Sequence, residues 1–159
     1  MSTVDNSINM AEIIRTNSES ADFQSLVKLL DVNLQERYGE LQTYYDQFND
    51  ITVIPYVVMA YANGQAVGCG AFKKFDDVQV EVKRVFVKEE NRGKGIARAL
   101  LNDLEKWAKE LGFEACILET GDRQYEAIDL YTKKLGYDII PNYGQYEGLE
   151  HSICMRKVL

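Results

Sequence analysis

The chain has 159 residues, enough for one domain with a proper hydrophobic core, and no repeat, low-complexity run or linker divides it. Hydrophobic residues make up 46% and charged residues 27%, a globular balance rather than a disordered one. The 18 Lys plus Arg against 25 Asp plus Glu leave a net charge of −7, which argues against nonspecific nucleic-acid binding and is compatible with a cationic acceptor.

Residues 1–10 are small and polar and predict a frayed tail, which places the folded domain at residues 11–159. Glu12–Thr16 predicts a short strand. Ser18 to Asp22 offer several N-cap residues ahead of Phe23, Leu26, Val27, Leu30 and Leu34, a stripe at helical spacing. Gly39 interrupts it, and Leu41–Phe48 predicts a second short helix. Strands are predicted over Tyr56–Tyr61 and Ala66–Phe75, on either side of the hairpin signal Asn63-Gly64. Asp76-Asp77 turns the chain into a third strand, Val78–Val87, whose valines at 80, 82, 85 and 87 nearly alternate with charged residues.

That strand breaks on Arg92-Gly93-Lys94-Gly95-Ile96-Ala97 and runs into a long amphipathic helix. Ile96, Leu100, Leu101, Leu104, Trp107, Ala108 and Leu111 fall on one stripe, and Gly112 supplies the stop. Glycines let the backbone approach a ligand closely, and a helix N-terminus turns free N–H groups and a positive dipole end toward it. A phosphate suits that construction, and so does an ordinary strand–helix turn with solvated basic residues. The P-loop pattern is absent because no Gly-Lys-Ser/Thr occurs, and the dinucleotide fingerprint fails because its third glycine would be Arg98.

Beyond Gly112 the order is strand (Glu114–Thr120), helix (Gln124–Lys134), strand (about Tyr137–Ile140), loop and a last strand (His151–Lys157). Cys69, Cys116 and Cys154 sit in apolar strand-like surroundings without a CxxC spacing, which suggests buried thiols in a reducing compartment and no metal site. There is no signal-peptide core, and the longest apolar run, near Ile54–Ala62, is too short to span a membrane. A cytoplasmic protein is expected, with no membrane partner.

The strand, the RGKGIA turn and the helix together resemble the coenzyme A-binding motif of the GNAT superfamily of CoA-dependent N-acyltransferases, Q/R-x-x-G-x-G/A. Arg92, Gly95 and Ala97 fill its three defined positions. Ala127-Ile128-Asp129-Leu130-Tyr131 followed by Leu135-Gly136-Tyr137 is similar to the family's A-x-x-L-Y and G-F/Y segments. The resemblance covers residues 54–159 closely, and the loop Pro141–Tyr146 is similar to one in an uncharacterised bacterial subgroup. It implies an α/β fold with a mixed, mostly antiparallel central sheet and helices on both faces. The parallel pair would be Val78–Val87 and Glu114–Thr120. It implies acetyl-CoA as acyl donor and a primary amine, on a small molecule or a protein, as acceptor in a ternary complex. A non-catalytic acyl-CoA-binding or regulatory module, a longer acyl donor and a homodimer all stay open.

Carried over residue by residue, the resemblance assigns the cofactor to the main chain of Val85, Phe86 and Val87, to Arg92, Gly93, Lys94, Gly95, Ile96 and Ala97, and to Gln124 and Tyr131. Tyr131 would protonate the leaving thiolate, a core aromatic being the commoner role for such a residue. Glu81 would take the amine proton, unless it merely pairs with Lys83 or Arg84, and His151 is a second candidate. Tyr38, Glu40, Tyr44, Tyr45, Tyr143 and Tyr146 would border the acceptor. Two departures from the pattern stand out: Gln124 replaces the usual asparagine, and the interval from Tyr131 to Gly136 is one residue longer.

Overall fold

Alternating apolar and polar residues in the first half of the chain pair as antiparallel strands. β1 (Glu12–Thr16) lies beside β2 (Tyr56–Ala62), β2 beside β3 (Gln65–Lys74), and β3 beside β4 (Gln79–Val87). The β2–β3 hairpin turns on Asn63 and Gly64, both at positive φ (53° and 78°), the geometry that matches the twist of paired strands. At the next turn Asp76 Oδ1 accepts the Val78 and Gln79 amides at 2.9 and 2.7 Å. The structure, a computed structural model, describes residues 11–39 and 53–159. The expected tail and the expected helix Leu41–Phe48 lie outside the described residues.

The second half adds β5 (Ala115–Gly121), β6 (Asp138–Ile140) and β7 (Ser152–Val158). The described residues form a seven-stranded sheet in the order β1-β2-β3-β4-β5-β7-β6, with β4 and β5 parallel and every other pair antiparallel. This is the expected α/β architecture, with the strands within a residue or two of their predicted bounds.

Helices cover both faces. α1 (Ala21–Tyr38) starts on Ser20, whose Oγ accepts the Phe23 amide at 3.2 Å, and buries Phe23, Leu26, Val27 and Leu30 against Val57, Met59, Ala71 and Phe86. On the opposite face α2 (Ile96–Glu110) buries Leu100, Leu101, Leu104 and Ala108 against Val58, Phe72, Val82 and Leu118. Each buried leucine contributes roughly 1.5–3 kcal/mol. The close seating of α2 depends on Gly70 in β3, where a β-carbon would lie 2.9 Å from Leu104 Cδ1.

The last helix differs from its predicted form. α3 (Tyr125–Asp129) passes into a single π turn, Leu130–Lys134, in which the Leu135 amide reaches back five residues to the Leu130 carbonyl at 3.0 Å. The expected unbroken helix over Gln124–Lys134 therefore has a wider last turn. That turn absorbs the extra residue between Tyr131 and Gly136, and Tyr131 keeps its place relative to Ala127.

Candidate active site at the splayed strands

β4 and β5 pair only from Gln79 with Ala115 to Val82 with Leu118. Past that point β4 bends away, and its pairing with β3 shows why. Between the Cys69–Phe86 and Ala71–Lys83 pairs, β4 spends one more residue than β3. This is a bulge. Its centre is Arg84, a non-glycine residue at φ 60°, a conformation that costs of the order of ~1–3 kcal/mol. An ion pair from its largely buried guanidinium to Asp31 Oδ1 at 3.0 Å holds it there. The wedge between the diverging strands opens into a cleft of about 630 Å³.

Along one wall the main chain of β4 is available to a ligand. The Lys88 amide donates to the Val67 carbonyl of β3 at 2.9 Å, and the Phe86 amide lies against the Cys69 sulfur. Amides alternate along a strand, so those of Val85 and Val87 face the cleft. The Val87 carbonyl, on the same side, accepts Arg92 Nε at 2.9 Å. Next comes the glycine turn, with Gly93 at φ 79° and Gly95 at φ 81° as the N-cap of α2. The cap has no side-chain bond, and Ala99 is the first residue of the helix whose amide meets a turn acceptor, the Gly95 carbonyl at 3.0 Å. A β-carbon at either glycine would meet nothing within 4 Å. The open amides at the head of a 15-residue helix, with exposed Arg92 and Lys94 beside them, suit a pyrophosphate. Arg98 and Lys134, which the motif did not point to, add two more cations to the lining.

Tyr131 and Gln124 stand opposite, in the π turn and at the head of α3. Tyr131 is buried, its ring edge-on to Tyr137 at 5.5 Å, and its hydroxyl bonds to no described residue. Burial pushes the phenol above its ordinary range, so it stays protonated and can only donate to a developing anion. Gln124 is the N-cap of α3, yet its side chain makes no cap bond and lines the cleft.

The α1 side of the wedge holds buried ionisable groups. Glu81 is 3% exposed, not a surface residue, and both carboxylate oxygens are engaged: Tyr143 donates to Oε2 at 2.6 Å, and Lys83 Nζ lies 3.5 Å from Oε1. Burial pushes the Lys83 amine down from its ordinary value. One strand over, on β5, stands a group that the motif reading missed. Glu119 is largely shielded, accepts a hydrogen bond from Ser152, and is pushed up by burial to about 7. A single carboxylate inside the apolar strand Ala115–Thr120 was the available signal. His151 is at the rim, its Nδ1 2.9 Å from Asp122 Oδ2.

Of the expected acceptor contacts, Tyr146 is buried against the cleft, while Tyr143 is turned to Glu81 and packs on Phe75. Tyr38 closes one side: its hydroxyl accepts the Arg123 amide at 3.0 Å. Arg37 donates to the Arg123 carbonyl at 3.0 Å and Arg123 to the Arg37 carbonyl at 2.8 Å, clasping the end of α1 to the β5–α3 loop. Glu40, Tyr44 and Tyr45 lie outside the described residues. Among the described residues no group of three or more His, Cys, Asp or Glu is placed to hold a metal, and no helix is long and apolar enough to cross a membrane.

The family model for the acetyltransferase (GNAT) family matches residues 23–137, from α1 through the wedge, the glycine turn and the π turn to Tyr137. The chain belongs to the GNAT family. It is thereby placed among acyltransferase enzymes, and similar proteins bear this out. An IAA acetyltransferase of Azospirillum brasilense is 39% identical over 103 residues, 64% of this chain and 67% of that protein. N-acetyltransferase family 8 member 2 of Rattus norvegicus is 35% identical over 78 residues, 46% of this chain and 34% of its own longer one. Among solved structures, a Klebsiella pneumoniae protein described as an acyl-CoA N-acyltransferase superposes with a TM-score of 0.80 at 28% identity, covering 95% of this chain and 99% of that one. The PaiA N-acetyltransferase of Thermoplasma acidophilum, in complex with coenzyme A, shares the fold, with a TM-score of 0.71 at 20% identity over 94% of this chain and 99% of its own.

Proposed function

We propose that this GNAT chain moves an acetyl group from acetyl-CoA to a primary amine by direct attack in a ternary complex. The observation that carries the reading is the placement of two proton-handling groups on either side of one wedge: Glu119, titrating near 7, and Tyr131, held protonated. The pyrophosphate would sit on the amides after Gly93 and Gly95, with Arg92 and Lys94 beside it, and the pantetheine arm along Val85–Val87. An amide of that strand would polarise the thioester carbonyl. Glu119 would accept the ammonium proton of the incoming amine, and Tyr131 would donate to the departing thiolate. We place the base at Glu119 rather than Glu81 because both Glu81 oxygens already have partners.

Direct attack is favoured over a covalent relay by the thiols. Cys69, Cys116 and Cys154 are buried, and burial pushes them to about 12, 12 and 11, which leaves almost no thiolate to carry an acyl group. The acceptor, a small-molecule or protein amine, would enter past Tyr146 and His151, and the working compartment would be the reducing cytoplasm. The test is steady-state kinetics across an amine panel, with kcat/KM against pH for Glu119→Gln, Glu81→Gln and His151→Gln. The wild type should lose activity on the acid side of about 7, and Glu119→Gln alone should abolish that limb. Turnover with none of the amines, despite acetyl-CoA binding, would sink the catalytic reading. Loss of the limb in Glu81→Gln or His151→Gln instead would move the base.

A further inference from the structure

We propose that Lys83 is a self-acylation site: with no acceptor present, its amine takes the acyl group from the bound donor. The inference rests on the donor reading above. Lys83 is the buried lysine among the described residues, and it lines the cleft. It stands on the splayed strand two residues before Val85, whose amide faces the cleft, and pairs with Ala71, which packs on the α1 side. An amine is thus fixed on the acceptor side of a thioester site, where holding the reactants together replaces a bimolecular encounter.

The chemistry around it fits an acceptor better than a plain ion pair. Its partner Glu81 is at 3.5 Å, long for a charge-assisted bond, and Oε2 of that carboxylate is committed to Tyr143. The groups facing Lys83 are Glu81 and Arg84 on its own strand, Lys73 on β3 and Glu119 on β5. Burial and the neighbouring cations favour the free amine, against the pull of Glu81. In the step, the Lys83 nitrogen attacks the thioester carbonyl carbon, an N–C bond forms, and the C–S bond breaks with its electron pair on sulfur. The amine proton passes to a neighbouring carboxylate, Glu119 or Glu81, and the thiolate takes a proton from Tyr131. One N–H becomes an N-acyl bond and one free coenzyme A thiol is released.

The test incubates the full chain with acetyl-CoA and no amine, cleaves after glutamate, and follows the fragment Val82–Glu89 by tandem mass spectrometry. Lys88 in the same fragment, together with exposed Lys74 and Lys133, reports non-enzymatic labelling. Lys83 should be acetylated roughly tenfold or more faster than Lys74 and Lys133. The rate per molecule should not change with protein concentration, and excess coenzyme A should suppress it. Labelling at Lys83 no faster than at Lys74, or a rate that climbs with protein concentration, overturns the proposal. Calorimetric titration with acetyl-CoA separates the two levels. A chain that binds donor but leaves Lys83 bare overturns this inference alone, and a chain that does not bind donor overturns the proposed function as well.

Discussion

Tyr131 and Glu119 do opposite things with the same physical cause. Burial penalises the charged form of each, so the phenol becomes a firmer donor while the carboxyl becomes a base that titrates near neutrality. Tyr131→Phe removes one hydroxyl and little volume. Turnover should fall by about 10²–10⁴ if the hydroxyl protonates the thiolate, with acetyl-CoA affinity scarcely changed, and single-turnover kinetics would read both. For Glu119 the linkage has a definite sign. Between its ordinary 4.5 and about 7 the folded chain holds a proton that the unfolded chain has released, so stability falls as pH rises through that window. Glu119→Gln should therefore be more stable than wild type at pH above 7, by on the order of 3 kcal/mol, and gain nothing below pH 4. Thermal scans at the two pH extremes check it. The turn Arg92–Ala97 drew notice in the chain through its resemblance to the family's motif, since two glycines ahead of a helical stripe suit an ordinary strand–helix turn equally well. Glu119 did not, since a carboxylate in a strand becomes notable only once the neighbouring strand has moved away.

At the scale of elements, the head of α2 is the part whose geometry and chemistry coincide most closely. Gly95 is an N-cap in the left-handed region with open space where a side chain would be. Gly95→Glu should cost about 1–2 kcal/mol in backbone strain. It should also place an anion where a pyrophosphate would bind, so acetyl-CoA affinity should drop at least tenfold in a protein that still folds. Equal affinity by titration calorimetry would remove the turn from the binding site. The β2–β3 hairpin was readable because Asn63-Gly64 accepts two positive φ values, whereas the bulge was hidden because Arg84 carries none of the chemistry that announces one. The π turn falls between these. The unusual Tyr131–Gly136 spacing showed that something had to give, but not that a wider last turn would take up the slack.

Taken whole, the molecule keeps its reactive sulfur inside one sheet. All three thiols should be silent toward a thiol reagent at pH 8 in the native protein and should react together in denaturant, and a native titration reaching one equivalent would mean local opening. The bulge at Arg84 also reaches beyond its strand. Before it, Val80 and Val82 face α2 while Glu81 and Lys83 face the α1 side; after it, Val85 and Val87 join the α2 face and Phe86 crosses to α1. A phase change of one residue thus decides which amides and which side chains of β4 face the cleft. The strand's length becomes a functional parameter in its own right. Substitutions between 83 and 86 would be graded in effect, whereas a one-codon insertion or deletion there would exchange the two faces downstream. In a scan of single-residue indels, that stretch should form a silent gap between tolerant turns, and lineages diverging from this chain would be free to change its letters but not their number.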